Sequence, residues 1–294
     1  MFLQGIILRA VGGFYDVRTA DGKTYRCRAR GRLKKVKMGL LAGDRVRFSV
    51  TAGAEGVVEE IYPRQTLLFR PPVANVEQVM LVGALQDPPL SLQLLDRLLV
   101  LAASRRLHPL ICFNKADLPH AREDIAELLA IYKAAGYTVF VTSAKTGLGI
   151  GELRAALCGR ISVLAGPSGA GKSSLINRIQ PGLSLKVGGI SEKSKRGRHT
   201  TRHVELLSLD CGGFVADTPG FSQLELLEIK SRELSAYFPE FAAFAAQCRF
   251  HSCLHAGEPD CAVSEAVARQ EIAASRYEHY LLFLQETREQ ERSF

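Results

Sequence analysis

The stretch Gly166-Pro167-Ser168-Gly169-Ala170-Gly171-Lys172-Ser173-Ser174 limits what this chain can fold into more than any other. It fits the pattern G-x-x-x-x-G-K-[S/T], follows an apolar segment (RISVLAG) and runs into a helical one (KSSLINRI). Strand, glycine-rich loop and helix in that order belong to a parallel α/β sheet with ligand loops at the strand ends. The glycines let backbone N–H groups face phosphate oxygens, and the helix N-terminus adds its dipole. Lys172 is placed to reach the β- and γ-phosphates, and Ser173 to bind a Mg²⁺ ion carried with the nucleotide. The motif says nothing about the base.

The base is read from Asn114-Lys115-Ala116-Asp117. The Asp117 carboxylate can accept from both guanine N1–H and the exocyclic amine, a donor pair that adenine lacks on that edge. Lys115 can lie along the base, and Asn114 can tie neighbouring loops together. Ser143-Ala144-Lys145 ends the next apolar segment and matches the loop whose backbone supports guanine O6. Asp217-Thr218-Pro219-Gly220 matches the D-x-x-G element, with Asp217 toward Mg²⁺ and the Gly220 N–H toward the γ-phosphate. Each falls where a strand should end. Yet the base-reading loops precede the phosphate loop, the reverse of the usual GTPase order. A circular permutation accounts for this, because binding depends on where loops lie in space.

Between the phosphate loop and Asp217, residues 186–206 are rich in glycine and basic residues and read as a first switch. Thr200 and Thr201 are the candidates to complete the Mg²⁺ shell; Thr201 is preferred. Phe221 stands where many GTPases carry a water-positioning glutamine, and a phenyl ring cannot orient water. Intrinsic turnover should therefore be slow, with His199 the internal candidate for orienting water.

Residues 1–65 read as five short strands punctuated by Gly-Gly, Asp21-Gly22 and Gly43-Asp44, the pattern of a small OB-fold β-barrel. The first 70 residues hold 14 Lys and Arg against 6 Asp and Glu, so all of the chain's net charge of +8 resides there. In KTYRCRARGR, strand alternation puts Arg26, Arg28 and Arg30 on one face, and Arg32, Lys34 and Lys35 extend the charge, which suits RNA backbone contact. Residues 63–75 carry three prolines and read as a linker. The expected organisation is multi-domain α/β: an OB-fold barrel over 1–68, a permuted P-loop GTPase domain over 69–224, and a helical module over 225–294.

Seven cysteines divide into two sets. Cys27, Cys112, Cys158 and Cys211 are scattered and read as small core residues. Cys248, Cys253, His255 and Cys261 have the residue types of a closed tetrahedral Zn²⁺ site, with His251 as a rival ligand. The start of the chain lacks a basic leader with a cleavage site, and no apolar run reaches transmembrane length, so a cytoplasmic protein without disulfides is expected.

Together these motifs resemble the RsgA family of circularly permuted GTPases, over nearly the whole chain. The resemblance implies binding to the 30S ribosomal subunit late in its assembly, GTP hydrolysis stimulated by that subunit, and release of the protein or of assembly factors after hydrolysis. Contact with 16S rRNA, one structural Zn²⁺, and a monomer that binds GTP and GDP without a membrane are expected beside it. Two rivals are a permuted GTPase of the large subunit and a non-catalytic, nucleotide-switched RNA-binding protein.

Overall fold

The computed structural model describes residues 1–31, 33, 39–51, 53–69, 72–84, 86–119, 121–183, 204–216 and 229–292. The chain divides into two units. One is Met1–Met80, Ile150–Ala165 and Lys172–Phe221; the other is Leu81–Gly149, Gly166–Gly171 and Ser222–Phe294.

The first unit contains the barrel. Strands β1 (Phe2–Val11), β2 (Phe14–Arg18), β3 (Thr24–Ala29), β4 (Arg45–Val50) and β5 (Glu55–Ile61) close in the order β1-β2-β3-β5-β4. Closure removes the free edges at which an open sheet of this size would pair with other chains. Inward positions alternate along each strand and fill the centre with Ile7, Val17, Cys27, Val46, Phe48 and Val58. The stretch expected as a linker is structured. Leu67–Phe69 (β6) pairs antiparallel with Pro72–Ala74 (β7). Arg64 Nε lies 2.7 Å from Oδ1 of the fully buried Asp44, and Asn75 Nδ2 donates to Gly43 O at 2.9 Å. A buried carboxylate needs such a cation, so this stretch is tied to the barrel rather than slack, and Pro72 opens β7.

The six-stranded sheet has the order β10-β9-β8-β11-β13-β12, with β8 at Gln78–Ala84, β9 at His108–Asn114, β10 at Thr138–Val141, β11 at Ile161–Ala165, β12 at Leu206–Ser208 and β13 at Phe214–Ala216. All seven residues of β8 are buried, as a central strand covered on both faces requires. β9 and β10 run parallel, as do β11 and β13. β12 runs antiparallel to β13, a departure from the all-parallel expectation, because a short turn at Leu209–Gly213 joins them without a crossover helix. The helices are α1 (Leu92–Ser104), α2 (Ala121–Ala134), α3 (Ile150–Leu157) and α4 (Lys172–Ile179). Ser91 caps α1 by accepting from Leu94 N at 3.3 Å.

The second unit also holds the C-terminal module: 3-10 segments at Ser231–Tyr237 and Pro239–Phe241, then α5 (Ala242–Ala245), α6 (Ala262–Ala268) and α7 (Ala274–Arg292). Tyr280, Phe283 and Leu284 bury one side of α7. No helix among the described residues is long and apolar enough to cross a membrane.

Two cysteines depart from the core reading. Cys27 and Cys112 are buried. Cys158 and Cys211 are half-buried and joined as a disulfide. The bond also departs from the expectation of no disulfides: Cys158 lies just after α3 and Cys211 in the β12–β13 turn, and sequence periodicity shows neither their depth nor their proximity.

Candidate nucleotide site and metal centre

The loops following β9 and β10 and the phosphate loop come together in the second unit. Asn114, the last residue of β9, is almost fully buried and donates from Nδ2 to Ala170 O at 2.9 Å. Its Oδ1 accepts from Thr142 Oγ1 and from Ala144 N, both at 3.3 Å. One side chain thus connects three loops, and burial makes each bond costly to lose. Gly171 has φ of +91°, and a Cβ there would lie 2.3 Å from Asn114 Nδ2, so only glycine lets the phosphate loop sit against it.

Asp117 lies at the mouth of the same loop. Ser143 Oγ donates to its Oδ1 at 2.6 Å, and Lys145 Nζ is 3.9 Å from its Oδ2. The Ser143 hydroxyl bond, aided by backbone bonding and the nearby Lys145 and Lys115, holds its carboxyl below the usual carboxylate range. It remains an anion able to accept two guanine N–H bonds. Ser143 is itself buried, and its Oγ accepts from Thr146 N at 3.1 Å. Lys115 has a positive φ of 63° and its ammonium donates to Asp87 O. That contact, in the loop after β8, gave no sequence signal.

Gly166 and Ala170 are buried, whereas Ser168 and Gly169 are exposed, so the middle of the phosphate loop is open to a ligand. Pro167 is half-buried between them. Lys172, Ser173 and Ser174 form the first turn of α4, the positive end of the helix dipole, where backbone N–H groups suit an anion. Thr200, Thr201, His199, Asp217 and Gly220 lie outside the described residues, as do Arg32, Lys34 and Lys35.

Arg26 and Arg28 are exposed on the outer face of β3, and Arg30, just past its end, is exposed too. The guanidinium carbons of Arg26 and Arg28 stand 4.4 and 4.8 Å from the centroid of Phe14, which pairs with Arg28 across the β2–β3 ladder. Arg30 instead meets Glu59 at 2.8 Å. Sequence reading missed both Phe14 and Glu59, because cross-strand register is not visible before the strands are paired.

Cys248, Cys253, His255 and Cys261 place their ligand atoms within 4.8 Å of one another. His255 Nδ1 lies 3.5 Å from Cys248 Sγ and 3.4 Å from Cys261 Sγ, and those two sulfurs are 4.0 Å apart. Bonds of about 2.3 Å to sulfur and about 2.0 Å to nitrogen in a tetrahedron demand edges of about 3.5–3.8 Å. The edges among Cys248, His255 and Cys261 are close to these, and Cys253 completes the set of four within 4.8 Å. His255 is buried, while the rival His251 is exposed and outside the cluster. The loop is shaped around it: Tyr277 donates to His255 O at 2.7 Å, and Glu258 accepts from Leu254 N and Ala256 N.

A sheet with parallel β9–β10 and β11–β13 pairs, a phosphate loop, and base-reading loops placed earlier in the chain define a circularly permuted P-loop GTPase. Models of the RsgA N-terminal domain and the RsgA GTPase match residues 4–58 and 61–227. The chain belongs to the RsgA GTPase family. It is 51% identical over 292 residues to the small ribosomal subunit biogenesis GTPase RsgA of Moorella thermoacetica, covering 99% of this chain and 100% of the relative. It is 51% identical over 288 residues to the protein of that name from Geobacillus thermodenitrificans, covering 97% and 98%. Among solved structures, YjeQ from Thermotoga maritima matches with a TM-score of 0.86 at 40% identity, over 98% of this chain and 99% of that one. YloQ, described as a circularly permuted GTPase, matches with 0.84 at 37%, over 98% and 96%.

Proposed function

We propose that this GTPase acts in assembly of the small ribosomal subunit, that the 30S subunit stimulates its hydrolysis of GTP, and that hydrolysis is coupled to release. The observation that carries the guanine-nucleotide part is the Asn114–Ala170 bond, which joins base-reading and phosphate loops 56 residues apart in permuted order. The ribosomal part rests on near full-length similarity to relatives named for small-subunit biogenesis.

In this reading Asp117 and the Ser143-Ala144-Lys145 loop select guanine, Lys115 flanks the base, and Gly166–Ser174 cradles the phosphates. Lys172 neutralises charge that develops on the β- and γ-phosphate oxygens. Ser173, Thr201 and Asp217 offer the hard oxygen donors suited to Mg²⁺, which would supply further charge neutralisation when bound. Thr200 is the alternative to Thr201, and Gly220 faces the γ-phosphate. His199 is assigned to orient the attacking water, since Phe221 cannot. Cys248, Cys253, His255 and Cys261 hold one Zn²⁺ that staples the irregular loop between α5 and α6.

Arg26, Arg28 and Arg30, with Arg32, Lys34 and Lys35, form the surface for 16S rRNA. Their clustering on one outer barrel face supports this for the three described arginines. The chain is read as three modules, 1–68, 69–224 and 225–294, working as a cytoplasmic monomer; the two family matches divide earlier, between residues 58 and 61.

The test is GTP turnover by the purified protein, alone and with 30S or 50S subunits, with ATP as control. Stimulation by 30S alone is expected. Stimulation by 50S would favour a large-subunit factor, and stimulation by neither would favour a passive switch.

A further inference from the structure

Cys158 directly follows α3, and Cys211 lies in the turn between β12 and β13. Their Cα atoms are 5.2 Å apart and their sulfurs are bonded. That Cα separation is within disulfide range, and interactions other than the sulfur bond set it. β11 and β13 pair in parallel with Ile161 opposite Phe214, and Phe214 N donates to Arg160 O at 2.8 Å. A Cβ on Gly213 would lie 2.1 Å from Leu157 O, so the turn rests on the end of α3 backbone to backbone. From the other side Gln180, just beyond α4, brackets Asp210. Its Oε1 accepts from Asp210 N at 2.8 Å and its Nε2 donates to Asp210 Oδ1 at 2.6 Å. The scaffold therefore holds the two cysteines in register whether or not they are bonded.

We propose that Cys158 and Cys211 form a reversible redox-modification site, a dithiol in reducing surroundings and a disulfide in oxidising ones. This inference stands apart from the nucleotide reading. The oxidant is a low-molecular-weight disulfide of the glutathione class. One cysteine thiolate attacks it, forming a mixed disulfide and expelling one glutathione thiolate. The second thiolate attacks the protein-side sulfur, forms the Cys158–Cys211 bond and expels the other. The two cysteines lose two electrons, the glutathione disulfide gains them, and the two protons end on the released thiols. An added dithiol reverses the sequence.

Two features restrict the chemistry to this pair. Cys158 and Cys211 are half-buried at the surface, so a small disulfide can reach them. Cys27 and Cys112 are buried, and burial pushes both thiols up to about 12, which leaves almost no thiolate to react. The remaining cysteines are gathered around His255. The bond spans 53 residues of sequence, and that span includes the whole phosphate loop and α4. Oxidation thus restrains the unfolded state of the phosphate-binding segment and fixes the β12–β13 turn to α3.

The test uses the full chain as purified, with its metal. The protein is equilibrated across glutathione buffers from fully reduced to fully oxidised, trapped with N-ethylmaleimide, and mapped by peptide mass. Melting is followed in parallel. A linked Cys158–Cys211 peptide pair should appear with one midpoint, reverse with dithiothreitol in the folded protein, and raise Tm by about 5–15 °C. Cys27 and Cys112 should stay unlabelled until the chain unfolds. In Cys158→Ser and Cys211→Ser the Tm shift should vanish and the remaining cysteine should carry a single glutathione. The double Ala variant guards against a folding defect in either single variant, and its Tm should match the reduced protein. Independent trapping of both thiols at every buffer ratio would overturn the proposal. So would a bond that dithiothreitol reduces only after unfolding, since the pair would then be a fixed structural link.

Discussion

Arg276 on α7 and Asp96 on α1 form an ion pair with Nη1 and Oδ1 2.6 Å apart, both side chains at most 2% exposed. Charges buried this deeply must be matched on every side. Arg276 Nε also meets Glu240 Oε1 at 2.7 Å, and its guanidinium lies 4.8 Å from the centroid of Phe238. Asp96 in turn accepts from Tyr132 Oη at 2.8 Å and contacts His279. Nearby, Arg97 binds Glu286 through two bonds of 2.7 and 2.6 Å. Within the second unit, the last helix, α7, is thus keyed to the first helix after β8. Arg276→Ala strands two buried carboxylates, so denaturant unfolding should show a loss of about 3–5 kcal/mol. Arg276→Met with Asp96→Leu and Glu240→Gln should recover much of it. An Arg276→Ala protein as stable as the parent would contradict the ion-pair account.

Acid should weaken guanine binding through Asp117, and Ser143 should set where. A carboxyl whose folded value is depressed keeps its contribution above its ordinary value of 3.8 and loses it as pH falls through the lower folded value. Ser143→Ala removes the largest cause of that depression, so the acid limb of GDP affinity should move to higher pH. A pH titration of GDP binding in both proteins checks it; superimposable acid limbs would show that the hydroxyl bond does not govern the carboxylate.

Metal removal should unravel the Cys/His loop before anything else. Cys248→Ser or Cys261→Ser should lower bound zinc, measured by elemental analysis, to well below one per chain. Hydrogen exchange should then rise around residues 248–261 while β8 and β9 keep their protection. His251→Ala should leave the zinc content unchanged.

The barrel face predicts a graded loss of RNA affinity. Arg26→Ala and Arg28→Ala should each weaken binding to ribosomal RNA and reduce the slope of log affinity against log salt by about 1. Phe14→Ala should weaken binding with little change in that slope, since it removes the ring that orders two guanidiniums but no charge. Arg30→Ala should matter less, because Glu59 already neutralises Arg30. Filter binding at several salt concentrations separates these outcomes.

Much of this was legible in the sequence, for reasons that can be named. Gly166–Ser174, Asn114–Asp117 and Ser143–Lys145 each end an apolar run, so their placement at strand ends followed from periodicity and spacing. The barrel followed from alternation broken by glycine turns. What was hidden depends on pairing across long separations. Arg276 looks like one more exposed cation on a polar helix; only the fold brings Asp96, Glu240 and two tyrosines around it. Phe14 needs the β2–β3 register to meet its arginines. Cys158 and Cys211 need the parallel pairing of β11 with β13. Arg64 and Asn75 sit in a proline-rich stretch whose composition suggested slack chain, yet their partners lie in the barrel at Asp44 and Gly43.

The central claim is that loops in permuted order form one guanine site around Asp117. Asp117→Asn replaces an acceptor pair with one acceptor and one donor, which suits xanthine, whose C2 carries an oxygen. Affinity for GTP and for xanthosine triphosphate should be measured on both proteins by fluorescence competition. Losing a bidentate contact worth about 3 kcal/mol should weaken GTP by roughly 100-fold and strengthen the xanthosine nucleotide by a similar factor. Unchanged GTP affinity in Asp117→Asn would mean that guanine is read elsewhere, and the account of the site would fail.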